Sequence, residues 1–368
     1  MSALRVFWHD ACLRHRPPDG LFEAGPEPLL ERPEAHPENE QRVRNIRSVL
    51  RRGPLGARVE LARPRPAGLD ELCAFHEADH VERLRRTMAG LAAPVQLDAQ
   101  TWASTGTWAA ALAAAGGAVA AARAVMRGEV DRAYALVRPP GHHAGPARTD
   151  GFCVFNNTAL ATAHCRLAGA RRVAVVDIDV HHGNGTQAGF YADPDVLTVS
   201  IHMDHRSWGP AHPELGIPAE LGSGAAAGSN INVALPFGCG DRAYAGAFSR
   251  VVEPVVERFA PDVLVCAAGF DANQFDPTGR QCVTMSGFHD LGAGIRRLAD
   301  RVCEGRVVLC QEGGYARTYT AFCAHAFLSG LLGEALVLDD PLAYLPDVET
   351  AHVAAIDATL RCLADEVG

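Results

Sequence analysis

Among its 11 cysteines the sequence holds no C-x-x-C pair and no zinc-finger spacing, and their number is odd. A disulfide framework and a small structural-zinc module are thereby excluded, and the thiols read as reduced, mostly small core residues. Residues 1–10 lack both a basic n-region and an apolar h-region, so no secretory signal is expected there. The longest low-polarity run, 109–122, is mostly alanine with two glycines and is broken by Arg123. It reads as too short and too weakly apolar to span a bilayer. A basic excess is missing as well. The net charge is −9, and the arginines within 42–52 and 83–86 alternate with apolar and acidic residues, as on solvated helix faces. No internal repeat is found, and no helix-length pattern is confined to one half of the chain. These absences lead to the expectation of a soluble, cytoplasmic protein that binds neither nucleic acid nor membrane.

What is present suits one large folded unit. The chain has 368 residues, 48% hydrophobic and 21% charged, enough for a sizeable core. A single domain over 1–368 is the economical reading. The Pro- and Gly-rich stretches 17–37 and 211–228 read as long surface loops, and the tail 338–368 could either cover the core or sit at a subunit contact. Short apolar runs at 172–179, 196–202, 262–267 and 306–311 look like buried parallel strands. Amphipathic stretches such as 243–259 and 287–302 lie between them. Strand and helix in alternation predict an α/β fold, a central parallel β-sheet flanked by helices. Polar residue types gather just after the strands, at 181–186, 202–205, 270–276 and 312–315, which places a site at the C-terminal ends of the strands.

The strongest motif is Asp177-Ile178-Asp179-Val180-His181-His182-Gly183-Asn184-Gly185-Thr186. If the strand continues through it, positions 177, 179 and 181 project to one face and offer two carboxylates and an imidazole to a divalent cation. The plainer alternative has the acids capping the following loop, against which stands the cost of burying two aspartates without a cation or donors. Gly183 and Gly185 would let the backbone turn tightly there. Arg138-Pro139-Pro140-Gly141-His142-His143 holds tandem histidines in a proline-framed turn, candidate proton carriers, although such a pair taken alone is more often a surface accident. Gly269-Phe270-Asp271 adds a carboxylate, and Glu312-Gly313-Gly314-Tyr315 a phenol beside paired glycines.

These motifs, with Gly151-Phe152-Cys153, Phe155-Asn156-Asn157 and His36-Pro37-Glu38, occur in the order and at intervals similar to those of zinc-dependent histone deacetylases. The chain most resembles the class II branch and its bacterial relatives, the histone deacetylase-like amidohydrolases and acetylpolyamine amidohydrolases, over about residues 5–335. The resemblance implies the arginase–deacetylase fold and hydrolysis of acetyl-amine amides. It implies one zinc per subunit on Asp179, His181 and Asp271, with positions left open for water and substrate carbonyl. Asp177 would orient His142 and, with Ser200, help hold a structural potassium ion. In the implied mechanism zinc polarises the carbonyl, His143 moves the proton, His142 tunes the site and Tyr315 donates to the oxyanion. The same resemblance implies a homo-oligomer, dimer or tetramer; iron would suit the ligand set as well as zinc.

Departures from the family pattern bear on the substrate. Asn184 stands where class I enzymes carry an aspartate facing the second histidine, so His143 is expected to titrate lower than in those enzymes. Phe152, after Gly151, should wall a narrow acyl channel, with Gly313 alongside. The opposite wall falls within 205–209, with Trp208 the candidate; Gly209 in an aromatic's place would widen the channel. Thr278 near the rim matches neither the leucine of lysine deacetylases nor the glutamate of a polyamine-selective relative, so a cationic substrate would need another acid, Asp98 or Asp276. Two rival readings stand beside this one. A binuclear arginase-like hydrolase would recruit Asp177 as a ligand, and a silent binder of acylated ligands would lack a metal ligand or Tyr315.

Overall fold

The computed structural model describes residues 4–20, 29, 31–208, 216–340, 343 and 350–367. Its strands are β1 (Leu4–Phe7), β2 (Val59–Ala62), β3 (Val95–Gln96), β4 (Trp102–Ala103), β5 (Arg132–Ala135), β6 (Val173–Asp177), β7 (Val196–Met203), β8 (Asn230–Leu235), β9 (Val263–Ala268) and β10 (Val307–Gln311). All but the short antiparallel pair β3–β4 join one sheet in the order β2-β1-β5-β10-β9-β6-β7-β8. Every pairing in that sheet is parallel. The helices of the first half are α1 (Gln41–Arg52), α2 (Leu69–Leu72), α3 (Ala78–Met88), α4 (Thr107–Met126) and α5 (Asn157–Leu167). Those of the second half are α6 (Asn184–Phe190), α7 (Asp241–Ala247), α8 (Glu253–Phe259), α9 (Met285–Val302), α10 (Tyr319–Leu332) and α11 (Thr350–Val367).

Burial on both faces explains the unbroken apolar runs of the central strands. On β6, Val173 and Val175 pack with Ala118 and Val125 of α4 and with Ala159 and Cys165 of α5. The intervening Ala174 and Val176 pack on the other side with Phe288 and Ile295 of α9 and Phe327 and Leu331 of α10. The strands of this sheet that left no clear mark in the sequence are β1, β2, β5 and β8. Their segments LRVF, VELA, RAYA and NINVAL each carry a charged or amide side chain that interrupts the apolar run.

The structure departs from two expectations, at 172–179 and at 109–122, and refines a third, at 243–259. The strand at 172–179 stops at Asp177, so positions 177, 179 and 181 do not share one strand face. The amphipathic stretch 243–259 is α7 and α8 joined through a π-helical turn, Phe248–Val252. The low-polarity run at 109–122 is part of a 20-residue helix, α4, long and apolar enough to cross a membrane, and 72% of its apolar window is buried inside the fold. Thr107, Trp108 and the turn beyond Ala122 supply the extra length. The tail forms α11, which packs against β8 and α7. Ile356 enters the core and the Thr359 hydroxyl donates to the Asn232 carbonyl at 2.9 Å, so this helix covers a strand that would otherwise be an open sheet edge.

Candidate active site

Five neighbouring strands of the sheet, β5, β10, β9, β6 and β7, end on the same side, and the loops leaving them converge. The loop after β6 carries Asp179 and His181, that after β9 carries Asp271, and that after β10 carries Glu312 to Tyr315. Asp179, His181 and Asp271 each direct a ligand atom into one cradle, all within 4.8 Å of one another. His181 Nδ1 sits 3.2 Å from Asp179 Oδ1 and 3.2 Å from Asp271 Oδ2. The backbone fixes both carboxylates: the Val180 amide donates to Asp271 Oδ1 at 2.8 Å and the Gly313 amide to Asp179 Oδ2 at 2.7 Å. A Cβ at Gly313 would collide with the Asp271 carboxylate, so only glycine lets the β10 loop come this close. Burial disfavours a charged imidazole at His181, yet the two carboxylates outweigh it and push its pKa well up. That concentration of buried negative charge around an imidazole is what a divalent cation would neutralise, and the donor set fits one.

Asp177 lies to the side of this cradle. Its Oδ2 meets His142 Nδ1 at 2.9 Å and its Oδ1 accepts from the Asp179 amide at 3.0 Å. Ser200 faces it in register on β7, with its hydroxyl 2.9 Å from His202 Nδ1. The rings of His142 and His143 are 4.1 Å apart, and the two titrate in opposite directions. Burial lowers both. At His142 the carboxylates of Asp179 and Asp177 win, and its pKa rises to about 10. At His143 the positive neighbours His142 and His181 add to burial, and its pKa falls well below the ordinary value. One imidazolium and one neutral imidazole side by side are an acid–base pair separated by environment.

Residues 36–331 match the family model described as the histone deacetylase domain. The chain belongs to the histone deacetylase family. It is 46% identical over 356 residues to histone deacetylase 8 of Arabidopsis thaliana, covering 96% of this chain and 94% of that one. Against the histone deacetylase-like amidohydrolase of Pseudomonas aeruginosa it is 37% identical over 361 residues, covering 95% and 92%. The crystal structure of the HDA15 HD domain matches with a TM-score of 0.85 at 32% identity, covering 99% of this chain and 95% of that one. The parallel sheet described above is accordingly the arginase–deacetylase fold.

In this deacetylase Phe152 sits in a four-residue turn closed by hydrogen bonds in both directions between Asp150 and Cys153. Gly151 and Phe152 both have positive φ, 49° and 69°, a conformation that an aromatic residue adopts only when its surroundings enforce it. The Phe152 ring stands edge-on to Tyr315, with centroids 5.8 Å apart. Burial and the carboxylates of Asp179 and Asp271 raise the Tyr315 pKa, opposed by Arg42, so the phenol stays protonated and able to donate.

The substrate-recognition expectations fare differently. Asp276 is buried and staples the loops: its Oδ2 accepts from the amides of Tyr315 at 2.6 Å and Ala316 at 3.1 Å, its Oδ1 from Thr278. The Thr278 hydroxyl donates to that same Asp276 oxygen at 2.7 Å. Both Asp276 oxygens, offered above as an acid for a cationic substrate, are thus engaged by the loops. Asp98 Oδ1 caps its own turn, accepting from the amides of Gln100 and Thr101. Trp208 ends a 3₁₀ turn, His205–Trp208, but its side chain lies outside the described residues, as do Gly209 and the start of the 210–228 loop. Gly183 has a negative φ, −73°; it is small because a Cβ there would strike the Asp177 carboxylate.

Sequence reasoning left several supports without a role. Glu312 is buried and binds the opposite loop, accepting from the amides of Gly141 at 2.5 Å and His142 at 3.1 Å and from the Thr158 hydroxyl at 2.7 Å. Arg42 donates to the Glu312 carbonyl at 2.6 Å and the Gly314 carbonyl at 2.5 Å, and its guanidinium lies 4.3 Å from the Tyr315 ring centroid. Glu38 holds both Arg42, at 2.8 Å, and Arg138, at 2.7 Å. The i,i+4 spacing of Glu38 and Arg42 was the available signal. Partners 272 residues apart gave none.

Proposed function

We propose that this protein hydrolyses acetylated alkyl amines, releasing acetate and the free amine, with one zinc ion held by Asp179, His181 and Asp271. The observation that carries the reading is the carboxylate–imidazole–carboxylate cradle lying beside two adjacent histidines, one held by a carboxylate and the other by an amide. When bound, the ion supplies a Lewis acid for the amide carbonyl and makes a water more acidic. Neutral His143 accepts the proton from the attacking water and later delivers it to the departing amine. His142, kept cationic by Asp177 and Asp179, presents a fixed positive charge beside the negative charge that develops on the substrate oxygen. Tyr315 donates a hydrogen bond to that oxygen, and Phe152 lines the approach. Asp177 and Ser200, aligned across β6 and β7, are the residues assigned to a structural potassium ion.

The chemistry shared by the candidate substrates, an acetyl-lysine side chain and an acetylated polyamine, is an N-acetyl alkylamine. An arginase-like second metal is not favoured, since both Asp177 oxygens already serve His142 and the Asp179 amide. The test combines metal analysis with turnover of an acetyl-lysine peptide and of acetylputrescine. Chelation and Asp179→Ala should each abolish turnover. Tyr315→Phe should lower kcat by about a hundredfold to a thousandfold, the usual loss for one oxyanion donor. Full activity in the chelated protein would overturn the metal reading.

A further inference from the structure

We propose that Asp150 is a positioning residue that sets the tautomer of His143 by fixing which way the Asn184 amide faces. The inference rests on the proposed role of His143 as the proton acceptor and extends the site to a residue of the channel turn.

A neutral imidazole carries one hydrogen, on Nδ1 or on Nε2, and only the other nitrogen can accept a proton. His143 Nδ1 lies 2.9 Å from Asn184 Oδ1. An amide oxygen accepts and never donates, so this contact requires the hydrogen on Nδ1 and leaves Nε2 as the base. Turned over, the same amide would present its NH2 to Nδ1. It would then select the opposite tautomer, with Nε2 protonated and unable to act. The asparagine cannot choose between these orientations by itself, because its two ends have nearly the same shape.

Asp150 makes the choice. Asn184 Nδ2 donates to Asp150 Oδ2 at 2.9 Å, and a carboxylate has only acceptors to offer. Burial raises the Asp150 pKa, opposed by the hydrogen bond from Asn184 and by Arg148, 3.6 Å from the same carboxylate. The polarity therefore runs in one direction: carboxylate, amide, imidazole Nδ1–H, free Nε2. The class I arrangement, an aspartate facing the histidine directly, needs no such orienting group; an asparagine at 184 does. Asp150 is also the first residue of the turn that presents Phe152, so one side chain ties the channel wall to the base.

The experiment is an exchange of the two residues, with the wild-type turnover of acetyl-lysine peptide established first. If the wild type does not turn over, the proposed function fails; the proposal about Asp150 is then still read by imidazole nitrogen-15 NMR, which reports the His143 tautomer without activity. Asp150→Ala should lower kcat by about tenfold to a hundredfold, a partial version of the loss seen when a catalytic histidine adopts the wrong tautomer. KM should change much less. Asn184→Asp alone sets two carboxylates against each other and should also lose activity. The double variant Asp150→Asn with Asn184→Asp restores the order of donors and acceptors, since the new amide donates to the new carboxylate. It should recover kcat to within about threefold of wild type, the residue expected from imperfect repacking. NMR should show Nδ1-protonated His143 in the wild type and the exchanged variant, and a mixture in Asp150→Ala. An unchanged kcat and tautomer in Asp150→Ala would overturn the proposal, as would an exchanged variant no better than Asn184→Asp.

Discussion

Phe152 illustrates how a single side chain is held where its backbone would not choose to be. Its positive φ costs on the order of 1 kcal/mol for a residue with a Cβ, and the closed turn between Asp150 and Cys153 maintains it. Replacing Phe152 by glycine removes that strain together with the ring. The expected outcome is a melting temperature close to wild type and a raised KM for acetyl-lysine peptide, measured by calorimetry and steady-state kinetics. A large fall in stability with unchanged KM would place the ring in the core instead of the channel. At the same scale, Glu312 shows how burial and function meet. Burial raises its pKa to about 7, while His142 and the Gly141 amide oppose the shift. Its contacts join the histidine loop to the tyrosine loop, so no single motif could have revealed its role.

Between elements, α9 and α10 approach closely where side chains are smallest. Gly292 of α9 and Gly330 of α10 each face the backbone of the other helix: a Cβ on Gly292 would collide with the Phe327 carbonyl, and one on Gly330 with the His289 carbonyl. Gly292→Ala should therefore destabilise the protein by about 1–3 kcal/mol, the usual range for overpacking, read as a lower denaturant midpoint with an unchanged slope. A second contact between distant segments is ionic. Glu38, Arg42 and Arg138 are all buried, and Arg138 also donates to the Cys12 carbonyl at 3.0 Å. Arg138→Met leaves Glu38 short of a partner in a low-dielectric site and should destabilise by about 3 kcal/mol.

The molecule as a whole should be sensitive to acid, in two stages. His15 and His76 are buried and held neutral, each with a pKa lowered from 6.5 to about 3, chiefly by burial. A histidine that resists protonation only when folded contributes stability above pH 6.5 and loses it as pH falls toward 3. Burial alone would raise the Glu38 carboxyl, but Arg138, His15 and Arg42 outweigh it and hold its pKa at about 2, below the ordinary 4.5. Its contribution is present above 4.5 and lost as pH falls toward 2. Melting temperature should therefore decline steadily below about pH 6.5, and a flat profile to pH 4 would contradict these assignments. A further property belongs to the chain entire. All 34 basic residues are arginine, so an enzyme proposed to deacetylate amines carries no lysine of its own. After treatment with an amine-selective acetylating reagent, its mass should rise by no more than the terminal amine allows, and its activity should persist.

Local chemistry made much of this readable in the sequence. Continuous apolar runs marked β6, β7, β9 and β10 because a parallel sheet is buried on both faces. Asp179 and His181 were legible as candidate cation ligands because they are neighbours in the chain, but local geometry grouped them with Asp177; Asp271 in the cradle and Tyr315 beside it were assigned through the family resemblance. What the tertiary structure alone decided was direction and partnership. Asp177 turns to His142 because its strand ends there, while Asp276 and Thr278 are consumed by loop backbones. Arg42 reaches across 272 positions to brace the Tyr315 loop, and Asp150 orients Asn184. Sequence records which groups a chain possesses; hydrogen bonds are short and directional, so only the folded arrangement settles which of them are already taken.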